Sequence, residues 1–315
     1  MKKIQKLLFV TSLLFGLSLV CPNASAANRQ KNSSKSKTTQ SQKEAPSESA
    51  APPNSPFTTP KIDARCALLF DARTGKVLYR KNENFPMPVA STQKLLTSLI
   101  IVESGDLDEY VTIEPSDTLA PPCKLHLKAG EKYTRRQLLH GLLIKSANDI
   151  AVALARDHSG SVEAFAENMT ERMHKLGGKI SHFVNPNGLP DPQQFSTARE
   201  MAAVARAVYF NSTLRSIIAL PDYAFERADG SIIPLRNTNR VLRTLPDCNG
   251  MKTGYTDLSG HCLISSASRD GKDVIAIVLG SNKAKVWGES EALLNYGLAL
   301  SGATVHLPPP KSPKG

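Results

Sequence analysis

The chain has few of the residue patterns that mark metal, redox or nucleic-acid sites. Its five cysteines include no Cys-x-x-Cys, and its seven histidines form no metal-ligand spacing such as His-Glu-x-x-His. Aromatic residues make up only 6% of the sequence, and no stretch interleaves them with basic residues as single-strand binders do. We therefore expect no metal, no cofactor and no nucleic-acid partner.

Long apolar runs are also scarce. The run at residues 7–20 has about fourteen residues, too few to span a bilayer comfortably. It follows three lysines within the first six residues and precedes Ala24-Ser25-Ala26, a small-x-small cleavage site. The pattern predicts a signal peptide over residues 1–26 and an exported protein, periplasmic or extracellular, or held at the membrane if the leader is not cleaved. Cys21 leaves lipidation of the leader open.

The composition of the remaining chain changes along its length. Residues 27–61 are rich in Ser, Lys, Gln and Pro, so they cannot bury enough apolar surface to offset their ordering entropy, and we expect a disordered linker. Residues 62–302 read as one folded domain, and residues 303–315 as a Pro-rich tail. No C-terminal membrane anchor is expected. The net charge of +11 favours a solvated basic surface or an anionic wall polymer over nucleic acid in an exported protein.

Four cysteines remain once the leader is removed, namely Cys66, Cys123, Cys248 and Cys262. An oxidising compartment permits disulfides, and four cysteines allow three pairings, among which the sequence does not choose. Cys262 stands in an apolar run and is expected to be a buried strand residue.

The order of predicted elements indicates an α+β fold. Two β-type runs near the start, 66–70 and 77–80, are joined by a hairpin turn, and three successive strands near the end are predicted at 251–256, 261–267 and 274–280. Such an order closes one antiparallel sheet from both chain ends. The regions between are read as a short strand at 111–113, a loop at 115–130, a hairpin over 223–235, and helices at 88–105, 134–158 (interrupted near 145–148), 162–176, 196–209 and 289–300.

Ser91 and Lys94 are the first candidate catalytic pair. They lie three positions apart at the opening of an apolar helix, so they share one helix face. A serine becomes a useful nucleophile when a neighbouring base takes its proton, and a lysine is such a base when burial or a nearby cation keeps it neutral.

Two further short motifs follow in the chain. Ser146-Ala147-Asn148 interrupts a helical stretch, where polar side chains would border a cleft, and Lys252-Thr253-Gly254 lies in a strand that runs into a hairpin. This combination, in this order, is that of the serine penicillin-recognising enzymes. The conjunction after an export signal is far more specific than any one motif.

With these motifs the chain resembles the D-alanyl-D-alanine carboxypeptidases, the low-molecular-weight penicillin-binding proteins. The resemblance covers roughly residues 62–302, including the turn-rich segment 185–189 and the segments 195–198, 237–240 and 250–256. It implies a β-lactamase/transpeptidase-like fold: a five-stranded antiparallel sheet flanked by helices, plus a helical subdomain. It also implies a peptidoglycan stem peptide ending in D-Ala-D-Ala as substrate and β-lactams as inhibitors.

The resemblance assigns a role to each candidate residue. Ser91 would form the acyl-enzyme and Lys94 would accept its proton, while Lys252 would lower the pKa of Lys94. Ser146 would relay a proton to the departing amine. The remaining implied roles concern binding. Asn148 would hold both the substrate backbone and Lys94, and Lys252 and Thr253 would bind the terminal carboxylate. Gly254 would leave room for the acyl chain, and the N–H groups of Ser91 and Tyr255 would form the oxyanion hole.

Alternative functions of the same machinery remain open. A D,D-endopeptidase that cleaves cross-links needs the same residues. A β-lactamase of class A needs a glutamate for deacylation, and the loop at 183–196 contains none. A non-hydrolytic penicillin sensor would need membrane helices, which are not found beyond the leader.

Overall fold

A five-stranded antiparallel sheet runs through the part of the chain that the structure, a computed structural model, describes: residues 58–304. In the spatial order β2-β1-β9-β8-β7, β1 pairs with β9 and β2 follows at the edge, so strands from both parts of the chain close one sheet, as the sequence predicts. Two smaller antiparallel pairs, β3 with β4 and β5 with β6, lie outside this sheet. The strands are β1 (Cys66–Asp71), β2 (Val77–Lys81), β3 (Tyr110–Thr112), β4 (Lys132–Thr134), β5 (Asp222–Glu226), β6 (Ile232–Arg236), β7 (Cys248–Thr256), β8 (Gly260–Arg269) and β9 (Lys272–Ser281).

Helices cover both faces of this sheet. On one face they form the larger of two apolar cores, and on the other face the last helix packs through Leu293, Leu294 and Leu298. Because both faces are covered, β9 contains a continuous apolar run, residues 274–279, all of which are buried. The helices are α1 (Lys94–Glu103), α2 (Pro115–Thr118), α3 (Arg135–His140), α4 (Asn148–Ser159), α5 (Val162–Lys175), α6 (Ala198–Phe210), α7 (Ser212–Ile218), α8 (Val241–Thr244) and α9 (Val286–Leu300).

Helix α1 is the central helix of the larger core. Its residues 94–101 are buried on every side, as expected of a helix enclosed by other elements. Helices α4, α5, α6 and α7 pack around it. A polar residue at the start of this helix is therefore carried into the interior, and Lys94 is that residue.

Helix caps explain where two of the surrounding helices begin. The hydroxyl of Ser161 accepts from the N–H of Ala164 at the start of α5, and that of Thr197 accepts from Glu200 at the start of α6. Such caps satisfy backbone donors that have no partner inside the helix.

The structure corrects several element boundaries. The predicted loop at 115–130 contains the one-turn helix α2, which the sequence analysis missed along with α7 and α8. Helix α7 begins directly after α6 because Asn211 caps it, accepting from the N–H of Leu214. Strand β7 begins at Cys248 rather than 251, and α9 begins at Val286 rather than 289.

The predictions on cysteines, membrane-spanning helices and the terminal segments are treated by the structure to different extents. All four cysteines of the described residues are free thiols, with Cys262 buried in β8 as predicted. Between residues 58 and 304 no helix is both long and apolar enough to cross a membrane. The predicted signal peptide, almost all of the linker and most of the tail lie outside the described residues, so these boundaries stay predictions.

Candidate active site

Ser91 lies in a tight 3₁₀ turn, Ala90–Gln93, that runs directly into α1. Ala90 has a φ of 49°, which is unusual for a residue with a side chain. Such strained backbone persists where the surroundings hold it, and it is frequent at functional sites. The turn places the Lys94 Nζ 2.9 Å from the Ser91 Oγ, as the three-residue spacing predicts.

Lys94 is fully buried, and its Nζ has three oxygen neighbours. It lies 2.8 Å from the Asn148 Oδ1 and 2.6 Å from the Asn187 carbonyl oxygen, in addition to the Ser91 hydroxyl. The two carbonyl-type oxygens can only accept. A neutral amine can therefore donate its two N–H groups to them and direct its lone pair at the Ser91 hydroxyl.

The electrostatics of the site favour this neutral form. Burial holds the pKa of Lys94 well below its usual value, and the nearby charge of Lys252 lowers it further. The hydroxyl of Ser91 is thus next to an amine that has the geometry of a base and a pKa shifted towards the neutral form.

Ser146 and Asn148 stand at a break between two helices. A single π-helical turn, Gly141–Lys145, ends at Ser146, whose φ of 66° reverses the chain before α4 begins at Asn148. Both side chains are buried and border the same cleft as Ser91. The Asn148 Nδ2 donates to the Pro122 carbonyl at 2.7 Å, and this bond leaves the Oδ1 directed at Lys94.

Strand β7 forms the opposite wall of the cleft at the edge of the sheet. Lys252 is only 1% exposed, and burial lowers its pKa to about 7. Its Nζ donates to the Thr253 carbonyl at 2.9 Å, and the Thr253 hydroxyl donates to the Thr238 hydroxyl at 2.7 Å. Lys252 and Thr253 are thus neighbours on the strand that borders the cleft, and a cation with a hydroxyl is a combination that suits a carboxylate.

The structure gives a reason for a glycine at position 254 that differs from the expected one. A Cβ at this position would lie 2.8 Å from the Ser91 nitrogen and 2.9 Å from the Ala90 Cβ. The glycine therefore allows β7 to approach the turn that carries Ser91; room for an acyl chain stays a prediction.

The Tyr255 side chain is 55% exposed, and its hydroxyl donates to Asp257 at 2.6 Å. Its predicted contribution to an oxyanion hole is a backbone one. Tyr255 follows Gly254 directly on β7, so its peptide group lies one residue from the contact with the Ser91 turn. The oxyanion role stays a prediction.

Asn187 and Gly188 are site residues that the sequence analysis did not single out. The Asn187 carbonyl accepts from Lys94, and the Ser91 hydroxyl lies 3.1 Å from it. Gly188 has a φ of 84°, and a Cβ there would lie 2.2 Å from the Ala90 carbonyl oxygen. The dense turn signal at 185–190 was the one available indication, because a backbone carbonyl carries no residue-type signature.

The structure brings the eight predicted site residues together in one cleft of about 920 Å³. Six of them line it, while Lys94 and Lys252 lie buried behind its wall. A serine in contact with a buried lysine, with a second buried lysine on the edge strand of the sheet, is the arrangement that characterises serine peptidases of the penicillin-recognising class.

Comparisons with known proteins identify the family within that class. The family profile described as D-alanyl-D-alanine carboxypeptidase matches residues 52–283. The D-alanyl-D-alanine carboxypeptidase DacF of Bacillus subtilis is 35% identical over 230 residues, which are 71% of this chain and 59% of that relative. The chain belongs to the D-alanyl-D-alanine carboxypeptidase family, and the predicted resemblance is confirmed.

Two further similarities concern a solved structure and a relative with a different name. The structure of the Streptomyces K15 DD-transpeptidase superposes with a TM-score of 0.73 at 30% identity, covering 77% of this chain and all of that one. The predicted transpeptidase-like α+β fold is therefore confirmed. A D-alanyl-D-alanine endopeptidase of Pseudomonas aeruginosa is 32% identical over 68% of this chain and 70% of its own length.

Proposed function

We propose that this protein is a serine-type D-Ala-D-Ala carboxypeptidase that removes the terminal D-Ala from peptidoglycan stem peptides through an acyl-enzyme. The observation that carries the proposal is the contact of 2.9 Å between the Ser91 Oγ and the Nζ of a fully buried lysine whose pKa is lowered. The family membership and the cleft beside this pair point to the same activity.

The first chemical step is acylation. The Ser91 Oγ attacks the carbonyl carbon of the D-Ala-D-Ala bond while Lys94 accepts the hydroxyl proton. The N–H groups of Ser91 and Tyr255 stabilise the oxyanion that forms. Asn148 and the Asn187 carbonyl keep the Lys94 amine in place during the transfer.

The second step expels D-Ala and the third hydrolyses the ester. As the C–N bond breaks, the proton on Lys94 passes through the Ser146 hydroxyl to the departing amine. Lys94, neutral again, then takes a proton from a water molecule that attacks the acyl carbon, and it returns this proton to the Ser91 Oγ as the bond from Oγ to the acyl carbon breaks.

Binding of the terminal carboxylate is assigned to Lys252 and Thr253. A protonated lysine beside a hydroxyl donor provides charge-assisted hydrogen bonds to such a group. The strained ring of a β-lactam presents a carbonyl and a carboxylate in the same relation, so we propose that β-lactams acylate Ser91 as well.

We also propose that the protein is exported. The basic start, the apolar run and the Ala24-Ser25-Ala26 site support this, as does a substrate found outside the cytoplasmic membrane. The mature protein is then periplasmic or extracellular, or held at the membrane by an uncleaved leader.

The test of the catalytic assignment is covalent labelling. Mature protein is incubated with a fluorescent penicillin, and the intact mass and the labelled peptide are determined. We expect one adduct on Ser91 and none on a Ser91→Ala variant with an unchanged circular dichroism spectrum. Labelling retained by that variant would refute the assignment, and rapid loss of the adduct would favour a β-lactamase.

A further inference from the structure

Three consecutive carbonyl groups of one loop are bound by side chains from the start of α1. The three hydrogen bonds run from Gln93 to the Asn185 carbonyl at 2.6 Å, from Thr97 to the Pro186 carbonyl at 2.7 Å and from Lys94 to the Asn187 carbonyl at 2.6 Å. Gln93 directly precedes the helix, and the other two residues lie in its first turn. The loop is thus fixed at three successive residues, and only the last bond involves a catalytic side chain.

The bonds from Gln93 and Thr97 do not depend on protonation. Both side chains are fully buried, and their amide and hydroxyl groups do not ionise in the pH range in which proteins work. Lys94, in contrast, gains and loses a proton in the proposed reaction. The two neutral bonds therefore hold the loop in one place in both states of the base.

A second glutamine determines which way the Gln93 amide faces. The Gln194 Oε1 accepts from the backbone N–H groups of Val184 and Asn185, both at 3.1 Å, so this atom is the amide oxygen. The Gln93 Nε2 lies 3.2 Å from this oxygen and 2.6 Å from the Asn185 carbonyl. Both of these neighbours only accept, so the nitrogen of Gln93 must face the loop.

This orientation leaves the oxygen of Gln93 without a partner. Its Oε1 is buried, and no hydrogen-bond donor from residues 58–304 reaches it. A buried acceptor without a donor lowers stability. The chain therefore carries at this position a side chain whose donors serve the loop at a cost to the fold.

The Asn187 carbonyl determines where the Lys94 amine points. As a neutral amine, Lys94 donates one N–H to this carbonyl and one to the Asn148 Oδ1, which leaves its lone pair directed at the Ser91 hydroxyl. A displaced carbonyl would turn the amine away from this hydroxyl. A misplacement of about 1 Å can cost about 100-fold in rate.

We propose that Gln93 and Thr97 are positioning residues of the acylation step: by binding the two preceding carbonyls, they keep the Asn187 carbonyl where it orients the Lys94 amine. This inference rests on the proposed function, because it assumes that Lys94 takes the proton of Ser91. Neither positioning side chain lines the cleft. Loss of either should therefore slow acylation and leave ligand binding unchanged.

The experiment measures penicillin acylation in variants that remove one donor at a time. Thr97→Val keeps the shape of the side chain and removes its hydroxyl, whereas Thr97→Ser keeps the hydroxyl. Gln93→Met removes the amide but also the oxygen that lacks a donor, so it should change the melting temperature little. Ser98→Ala is the matched control, because Ser98 is an equally buried hydroxyl of α1 that donates to the Leu95 carbonyl of its own helix at 2.8 Å.

Measuring the rate at increasing penicillin concentration separates the limiting acylation rate from the dissociation constant of the non-covalent complex. We expect Thr97→Val and Gln93→Met each to lower the limiting rate at least about tenfold, with an unchanged dissociation constant. The double variant should lose more, and Thr97→Ser should recover most of the wild-type rate. Penicillin should acylate Ser98→Ala at the wild-type rate.

The pH dependence of the limiting rate distinguishes positioning from a general loss of structure. A carbonyl that accepts from the amine favours its charged form, so displacement of the Asn187 carbonyl should lower the pKa of Lys94 and move the acid limb to lower pH. The other titratable groups that act on Lys94 are unchanged in these variants: Lys252 on β7, Asp149 on α4 and Cys123. Loss of structure alone would instead lower the rate by one factor at every pH.

Four results would overturn the inference: a folded double variant that is acylated at the wild-type rate, an equal loss in Ser98→Ala, a loss that is uniform across pH, or a loss that Thr97→Ser does not recover. If the double variant does not fold, the two single variants decide between the same outcomes. A wild-type protein that forms no penicillin adduct would instead refute the proposed function itself.

Discussion

At the scale of single residues, the proposed chemistry depends on two buried lysines that carry opposite protonation states. Lys94 must be neutral to accept a proton, whereas Lys252 must be charged to bind a carboxylate. Burial opposes charge on both. A carboxylate ligand at Lys252 favours its charged form, and that charge in turn keeps Lys94 neutral. Substrate binding thus sustains the base.

The pH dependence of kcat/KM should reflect the ionisation of both lysines, because this parameter reports the pKa values of groups in the free enzyme. Activity should rise with pH as Lys94 loses its proton. Since the pKa of free Lys252 is lowered to about 7, kcat/KM for a substrate with a free carboxylate should fall again above about pH 7, by at most about tenfold per pH unit. A substrate whose terminal carboxylate is amidated should keep the acid limb and lose the alkaline one. An alkaline limb of the same position for both substrates would contradict the role of Lys252.

Gly188→Ala should displace the Lys94 amine although residue 188 does not contact it. The new Cβ would meet the Ala90 carbonyl and would also strain a φ of 84°, so the loop must move and carry the Asn187 carbonyl away from Lys94. We expect penicillin acylation to slow at least about tenfold, because a small misplacement of catalytic groups has large effects on rate.

Gly160→Ala is the matched control for this change. Gly160 has a similar φ of 80° but open space around it. The Gly160→Ala variant should lose about 1 kcal/mol of stability from backbone strain alone, and penicillin should acylate it at the wild-type rate. Equal acylation rates in both variants would mean that the loop contact does not position the base.

At the scale of secondary-structure elements, the start of α4 organises one wall of the cleft. The buried Asp149 carboxylate accepts from the backbone N–H groups of Leu125 and Leu127, at 3.2 and 3.3 Å. The neighbouring Asn148 N–H donates to the Cys123 carbonyl at 2.7 Å. These bonds fasten the segment 121–127 to the helix, and that segment in turn supplies the Pro122 carbonyl that orients the Asn148 side chain.

Asp149→Ala should therefore loosen this segment. The loss of its carboxylate leaves the backbone N–H groups of Leu125, Leu127 and Ile150 without this partner, and we expect the free energy of unfolding to fall by about 1–3 kcal/mol. Amide hydrogen exchange should accelerate at Leu125 and Leu127, and acylation should slow because Asn148 loses its anchor. Asp157→Ala, on the same helix but in a partly exposed ion pair with Arg135, should change stability by at most about 1 kcal/mol and leave acylation unchanged. Wild-type exchange rates in Asp149→Ala would contradict the anchoring role of this carboxylate.

The same elements indicate how far a sequence can predict such a site. The Ser91 and Lys94 spacing, the helix break at Ser146 and the closing of the sheet from both chain ends follow from periodicity and turn residues, and the structure has all three. The Asn187 carbonyl could not be predicted, because every residue has such a group and only the folded loop directs it at Lys94. Helix α7 was missed because only Asn211 separates it from α6, without the Gly or Pro that usually marks a boundary.

At the scale of the whole molecule, stability and function are in conflict in the cleft. The first and last strands of the described residues belong to one sheet, and that sheet carries a buried lysine on its edge strand. Since the folded-state pKa of Lys252 lies below its value of 10.5 in the unfolded chain, the unfolded state holds the proton more tightly. Burying this charge lowers the free energy of unfolding, and the reduction is complete at pH values below the folded-state pKa.

Lys252→Met should therefore stabilise the protein while removing the cation of the proposed carboxylate site. At pH 7 and below we expect the free energy of unfolding to rise by about 1–3 kcal/mol, because an apolar side chain replaces a buried cation. The gain should shrink as pH increases above about 7, where folded wild-type protein already has a neutral Lys252, and vanish near pH 10.5, where the unfolded chain also loses the proton. Urea unfolding between pH 6 and 10 measures the difference, and Lys272→Met, an exposed lysine of the same sheet, should show no such trend. A constant difference across this range would mean that Lys252 is not a destabilising buried charge, and the neutrality of Lys94 would then need a cause other than burial beside a second cation.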